Sequence, residues 1–260
     1  MKSFLKHRKD HKISNFEVSG GKYTVRLARN NEEIEAALRL RFHVFNIELG
    51  EGLEESYASK MDEDKYDQFC DHLIVIDHSA STVIGTYRLL DSNSAEAGEG
   101  FYTANEFDIS SLPDFILSDA FELGRACIDR EHRNGRVLFL LWRGLAKYMI
   151  LSEKRFLFGC CSITSQNPAE GLAYFKHLEE NGFMHSEYLV AVEKDFLCTP
   201  EVDQDFTGEV KLPQLFRLYL DVGCKVCSRP ALDTQFKTID FLILLDLETI
   251  SEQTRTLFLK

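Results

Sequence analysis

Within residues 121–148 the sequence changes its hydrophobic period twice. Residues 121–128 alternate like a strand and carry Glu122 and Arg125. Arg133-Asn134-Gly135-Arg136 interrupts the pattern, and residues 137–152 then place Leu140, Leu141, Leu145 and Tyr148 at helical spacing. A strand that passes through a short basic turn into an apolar helix leaves unpaired N–H groups and a positive dipole end beside the strand's last side chains. Such a place can hold a phosphate while a carboxylate on the strand, here Glu122, accepts a proton.

The rest of the pattern supplies a sheet for this unit to join. Residues 22–28 alternate as a strand, and Asn31 is placed to cap a helix beginning at Glu32 and Glu33, with an apolar face to about residue 46. Residues 48–65 are polar and acidic, a loop long enough to be functional. Residues 72–77 and 82–90 read as an antiparallel hairpin, and 155–163 as a further strand. A helix over 168–181 ends at Gly182, where a left-handed cap belongs. Residues 188–193, 213–226 and 238–247 read as strand, helix and strand. The order predicts a mixed α/β (α+β) fold, a mostly antiparallel sheet flanked by helices.

At 260 residues and 44% hydrophobic, the chain can bury one sizeable core, and no low-complexity linker divides it. The expectation is one domain over 21–260 preceded by a basic tail over 1–20. In that tail Lys2, Lys6, Arg8, Lys9 and Lys12, with His7 and His11, suit an anionic membrane surface. The hydrophobic run of a secretory signal is missing near the start, as is any run of roughly 20 apolar residues, so the reading is cytoplasmic, at most peripheral on a membrane. A net charge of −12 argues against nucleic acid as partner. The seven cysteines are odd in number. Cys224 and Cys227 have no second pair to complete a zinc site, so buried thiols are expected and no metal.

Strand alternation puts Glu122, Gly124 and Ala126 on one face and Leu123, Arg125 and Cys127 on the other, which separates Glu122 from Arg125 in role. Three rival readings come from residues elsewhere. His72 and Asp77 match the His-x4-Asp spacing of glycerolipid acyltransferases, but five residues apart on a strand they face opposite ways. Cys160 or Cys161 can be a nucleophile only with a histidine that no local motif supplies. A non-catalytic protein that binds an acyl carrier or lipid is the third. Among the 20 phenylalanines, Phe139 and Phe241, with Trp142, are candidates to line an acyl tunnel.

Four segments together carry a family likeness: Leu40-Arg41-Phe42-His43-Val44-Phe45, Ile84-Gly85-Thr86-Tyr87-Arg88-Leu89, Glu122-Leu123-Gly124-Arg125 with Leu141-Trp142-Arg143-Gly144, and residues 231–247. They resemble the GNAT acyltransferase superfamily across 23–247. Within it they are most similar to the bacterial ornithine-lipid synthase group, amino-acid N-acyltransferases often labelled hemolysin-like. Acyl-homoserine-lactone synthases share the pattern of Arg41, Phe45, Asp67, Asp71, Arg88 and Glu122-x-x-Arg125, and remain an alternative.

The resemblance implies a GNAT-like domain that moves a fatty acyl or 3-hydroxyacyl group from a carrier thioester to the α-amine of an amino acid such as ornithine, with no permanently bound cofactor. It makes Glu122 the base and Tyr174 the proton donor to the leaving thiolate. Arg125, Arg133, Asn134, Gly135, Arg136 and Val137 would meet the donor. Arg41 or Arg88 would take the acceptor's carboxylate and Asp67 or Asp71 its cationic group, with Phe45 beside them. The superfamily's phosphate loop usually reads Gln/Arg-x-x-Gly-x-Gly/Ala. Here it has a single glycine, which points to acyl carrier protein rather than acyl-CoA as donor. Arg125, Arg130, Arg133, Arg136 and Arg143 would give an acidic carrier its landing site.

Overall fold

The computed structural model describes residues 11–199 and 206–258. Its nine strands form one sheet: β1 (Glu17–Gly20), β2 (Tyr23–Leu27), β3 (Asp71–Asp77), β4 (Thr82–Asp91), β5 (Ala120–Ile128), β6 (Phe156–Ile163), β7 (Lys225–Val226), β8 (Ala231–Asp233) and β9 (Thr238–Asp246). The spatial order is β1-β2-β3-β4-β5-β6-β9-β7, with β8 also on β9. Every pairing is antiparallel except β5 with β6. The mixed α/β, mostly antiparallel fold expected from the sequence is the one observed.

Four longer helices cover the sheet: α1 (Asn31–Phe42), α2 (Gly135–Ser152), α3 (Pro168–Glu180) and α4 (Gln214–Val222). One face packs Leu73, Val75, Leu89, Phe121 and Leu123 against Leu141, Leu145 and Tyr148 of α2, with α3 and α4 extending the same core. The other carries α1 and a separate cluster of Phe107, Ile116, Phe156, Phe158 and Leu242. Helix α1 continues into a π-helical turn, His43–Leu49, which Gly50 ends at φ 69°.

Local details correct the sequence reading. The cap of α1 is Asn30, whose side chain accepts from the Glu33 N–H; Asn31 is already helical. Residues 188–193 form isolated bridges, Val190 to Ser228 and Val192 to Phe107, because their partners are single residues of loops. The tail expected over 1–20 is folded from His11: a short helix, His11–Asn15, precedes β1, and Ile13 and Phe16 are buried in the main core. The basic residues between 2 and 9 lie outside the described residues. None of the described helices is long and apolar enough to cross a membrane.

Two irregularities shape the centre. The β5–β6 ladder pairs Ala120, Phe121 and Glu122 with Phe156, Leu157 and Phe158 and goes no further, so the two strands part after Glu122. Between β4 and β5, Thr86 pairs with Cys127 but Arg88 with Gly124, so two steps along β4 match three along β5. The extra residue makes a bulge, and Arg125 within it takes φ 50°.

Gly159 sits where β5 and β6 begin to part, and a Cβ there would lie 2.3 Å from the Leu123 carbonyl oxygen. Gly159→Ala is therefore expected to push the strands apart and cost about 1–3 kcal/mol, read as a lower urea midpoint.

Candidate active site

Where β5 and β6 part, a cavity of about 390 Å³ opens and reaches both faces of the sheet, touching Tyr87 and Leu141 on one side and Arg88 and Tyr102 on the other. Glu122 stands at the fork and lines this cavity. Gly124 follows it; a Cβ there would find only Arg88 nitrogens beyond 3.6 Å, so the glycine leaves open space next to the carboxylate.

Glu122 is buried and fixed by one short turn, Tyr102–Asn105. Its Oε1 accepts from the Thr103 amide and hydroxyl, both at 2.6 Å, and its Oε2 from the Tyr102 amide at 3.0 Å. Burial raises its pKa above the ordinary carboxylate value, and the hydrogen bonds from Thr103 and Tyr102 only partly oppose this. A carboxyl so raised and so held is suited to accept a proton.

The bulge overturns the face assignment made from strand alternation. Arg125 stacks over the rings of Tyr102 (4.9 Å) and Phe236 (4.3 Å), while Glu122 is bonded to the backbone of the same Tyr102. Both side chains thus face one side. The extra residue shifts the alternation by one between them, and Arg125 also lines the cavity.

Behind Arg125 lies a buried lattice of three arginines and three aspartates. Arg41, with no exposed surface, gives its Nε to Asp62 at 2.7 Å and Nη1 to Asp67 at 2.6 Å. Arg88 binds Asp64 at 2.6 Å and approaches Asp67 at 3.5 Å. Arg125 reaches Asp62 and Asp64 only at 3.3 and 3.4 Å, and its Nε makes no hydrogen bond. Burial works against the Asp67 carboxylate, yet Arg41 and Arg88 hold its pKa far below the usual range.

Arg41 and Asp67 are thus spent on each other and do not line the cavity, contrary to the substrate roles implied by the family likeness. Asp71, on β3, accepts from the Tyr148 hydroxyl at 2.8 Å and also stands away from it. Arg88 and Phe45 do line it, Phe45 edge-on to Phe236 at 5.4 Å. Tyr174 is bonded to the Lys211 backbone through both lone pair and proton, at 3.3 and 2.9 Å, and is not brought to the cavity.

The basic turn is more occupied than its sequence implied. Asn134 caps α2, taking the Arg136 and Val137 amides on its Oδ1 at 3.1 Å each. Arg133 is paired with Glu48 and bonds the Ile128 carbonyl. Arg136 and Arg143 are exposed and, with Lys22, line a shallow groove beside Gly135.

Of the rivals, His72 is buried, which lowers its pKa to about 4, and Asp77 faces away toward Lys22. All seven cysteines are free thiols. Burial raises the Cys160 and Cys161 thiols well above their ordinary value, so neither is a resting thiolate. The tunnel candidates Phe139, Trp142 and Phe241 are absent from the cavity wall; Leu138, Leu215, Phe216 and Tyr219 are among its apolar lining.

The far wall holds a group the sequence reading missed. Carboxylate oxygens of Glu106, Asp233 and Asp240 lie within 4.8 Å of one another, all three buried and all lining the cavity. Burial pushes Asp240 up to about 6, against the hydroxyls of Ser162 and Thr238 bonded to it. Burial, then the charges of Asp240 and Asp233, raise Glu106 well above the usual range. Asp240 had a signal in the sequence, being a lone charge inside the apolar run of β9. Glu106 and Asp233 had none, since only the fold brings their loops together.

Residues 40–143 match the Acetyltransferase (GNAT) domain family. The L-ornithine N(alpha)-acyltransferase of Agrobacterium fabrum (strain C58) is 34% identical over 250 residues, covering 89% of this chain and 83% of that protein. The chain belongs to the L-ornithine N(alpha)-acyltransferase family. The acyltransferase of the same name from Rhizobium meliloti (strain 1021) is 34% identical to it over 238 residues, 87% of this chain and 80% of that one. Among solved structures, the CoA-dependent acyl-homoserine lactone synthase BjaI aligns over 88% of this acyltransferase and 81% of its own chain, at 14% identity and a TM-score of 0.47.

Asp240 gives a pH test of the acyltransferase's far wall. A carboxyl whose pKa is raised on folding stabilises the fold below its unfolded pKa, near 3.9, and this is lost as pH rises through the folded value of about 6. Asp240→Asn removes the loss. The variant should gain about 1–3 kcal/mol over the parent between pH 4 and pH 7, read by urea titration at each pH.

Proposed function

We propose that this N-acyltransferase moves a fatty acyl or 3-hydroxyacyl group from an acyl carrier protein thioester to the α-amine of L-ornithine, giving an N-acyl amino acid. The observation that carries the reading is Glu122: a buried carboxylate of raised pKa at the point where two strands separate around a cavity. The relatives' shared name supplies the acceptor.

The chemistry follows from that position. The α-ammonium, with a pKa near 8, must lose a proton before it can attack. Glu122 accepts it, directly or through one water. The neutral nitrogen then bonds to the thioester carbon, and collapse of the tetrahedral adduct breaks the carbon–sulfur bond. The departing thiolate takes the proton held on Glu122, and the carboxylate so restored accepts the second proton of the adduct nitrogen and passes it to water, so a single carboxyl serves both halves. This leaves Tyr174, held by Lys211, without a part in the step.

Arg125 is the group we assign to the acceptor's carboxylate, with Arg88 beside it. Alone of the three lattice arginines it has no ion pair shorter than 3.3 Å, and its Nε is unbonded, so a further anion improves its environment. The amide-bearing pantetheine arm suits the stretch of β5 past Glu122, which has no β6 partner there. A carrier protein fits better than CoA, since Asn134 already takes two amides of the turn that a pyrophosphate would need. Arg136, Arg143 and Lys22 offer an acidic carrier its contact.

Purified protein given acyl carrier protein thioesters and a panel of amino acids should yield N-acylornithine by mass spectrometry. Acyl-CoA should serve less well, and the carrier reaction should weaken as salt rises. Glu122→Gln should fold normally and lose about 10²–10⁴ in kcat. Absence of any N-acyl product, or an acyl-homoserine lactone made from S-adenosylmethionine, overturns the proposal.

A further inference from the structure

The cavity is electrically two-sided. On the near side the three arginines and three aspartates of the buried lattice balance one another. On the far side Glu106, Asp233 and Asp240 make no salt bridge with any described residue; the cation that acts on Glu106 and Asp240 across the space is Arg125. Asp233 Oδ1 is taken by the Gln235 and Phe236 amides at 2.8 Å, and Asp240 by the hydroxyls of Ser162 and Thr238. Glu106 is different. It is 1% exposed, lines the cavity, and its Oε2 has no hydrogen-bond partner. A buried carboxylate oxygen left unbonded is costly unless something in the cavity completes it.

The chemistry of the missing group can be read from the acceptors. A primary ammonium carries three donors and no acceptor, which suits three converging carboxylates, each with a lone pair left over. A hard divalent ion would have to compete with the hydroxyl and amide donors already on Asp240 and Asp233. We propose that Glu106, Asp233 and Asp240 form the subsite for the side-chain ammonium of the acceptor and so select a diamino acid over a neutral one. This rests on the N-acyltransfer reading above and adds to it the residues that set acceptor choice.

The two ends of the cavity are linked through Thr103 and Cys160. Thr103, whose hydroxyl donates to Glu122 at 2.6 Å, is 3.8 Å from the Cys160 sulfur, and Cys160 feels the charges of Glu106, Asp240 and Glu122 together. The two amines of an extended ornithine are separated by about 6 Å. One amine can thus face Glu122 while the other enters the acidic cluster, with the α-carboxylate directed to Arg125. In the empty cavity burial and the neighbouring acids raise the pKa values of Glu106 and Asp240; an arriving ammonium would offset that crowding of negative charge.

The test compares L-ornithine with L-norleucine, which has the same shape but a methyl group in place of the ammonium, as acceptors for the full-length protein with one acyl carrier protein thioester. Initial rates are read by mass spectrometry. The parent enzyme should favour ornithine by at least about 100-fold in kcat/KM, as expected when a built polar site meets a ligand that lacks its partner. In Glu106→Gln and in Asp240→Asn that ratio should fall at least tenfold, chiefly through a higher KM for ornithine. The subsite is overturned if the parent enzyme uses both acceptors equally, or if both variants keep the parent ratio. It is also overturned if a chelator abolishes the preference and Mg²⁺ restores it, which would give the acids to a metal ion. Failure of the parent to acylate any amino acid instead removes the reading on which the subsite rests.

Discussion

Arg41 is the buried group on which the centre of this molecule leans. Its guanidinium is sealed from water and would be intolerable there alone, so Asp62 and Asp67 must come to it from the loop before β3. Once that loop is pinned, Asp64 is in place for Arg88 and for the bulged Arg125. Arg125 adopts a left-handed backbone that bulky residues avoid at a cost of order 1–3 kcal/mol, and its two carboxylate partners and two stacked rings offset this.

The two walls of the cavity show opposite ways of burying charge. The near wall is neutralised internally, so it contributes shape and a rigid, slightly underused guanidinium. The far wall is not neutralised, and burial with like charge raises the pKa values of Glu106 and Asp240. A fold selected for stability alone would not gather three acids on adjacent loops and strands, since each raised pKa is free energy lost at neutral pH. That imbalance is what one expects of a surface completed by a cation.

Much of this was legible in the chain, and the parts that were not have physical reasons. The order of strands and helices, the β3–β4 hairpin and the left-handed end after α3 are local properties, and local pattern reveals them. Glu122 could be picked out from its place on the strand before the basic turn and, chiefly, from the family likeness of Glu122-Leu123-Gly124-Arg125. The role of Arg41 could not be read, because the same residue serves a substrate or a buried pair depending on which loop folds over it. The acidic loop over 48–65 was visible as a candidate, but which of its aspartates turn inward is decided by Arg41, Arg88 and Arg125 in three other elements. The facing of Arg125 failed for a different reason: alternation assumes an unbroken ladder, and one extra residue in β5 reverses it.

The turn Tyr102–Asn105 is where the two chemical demands on the cavity meet. A base must be exposed enough to reach the amine and protected enough to keep a raised pKa, and these pull against each other. Thr103 reconciles them. Its amide and hydroxyl hold Glu122 Oε1 in one orientation, yet they are neutral donors, so they limit the rise in pKa without cancelling it as an arginine would. Glu106 follows directly after that turn, so the element that orients Glu122, the proposed base, also presents the unbonded carboxylate of the far wall. Spacing between the proposed proton acceptor and the proposed cation site is then set by four residues of backbone rather than by two independent loops.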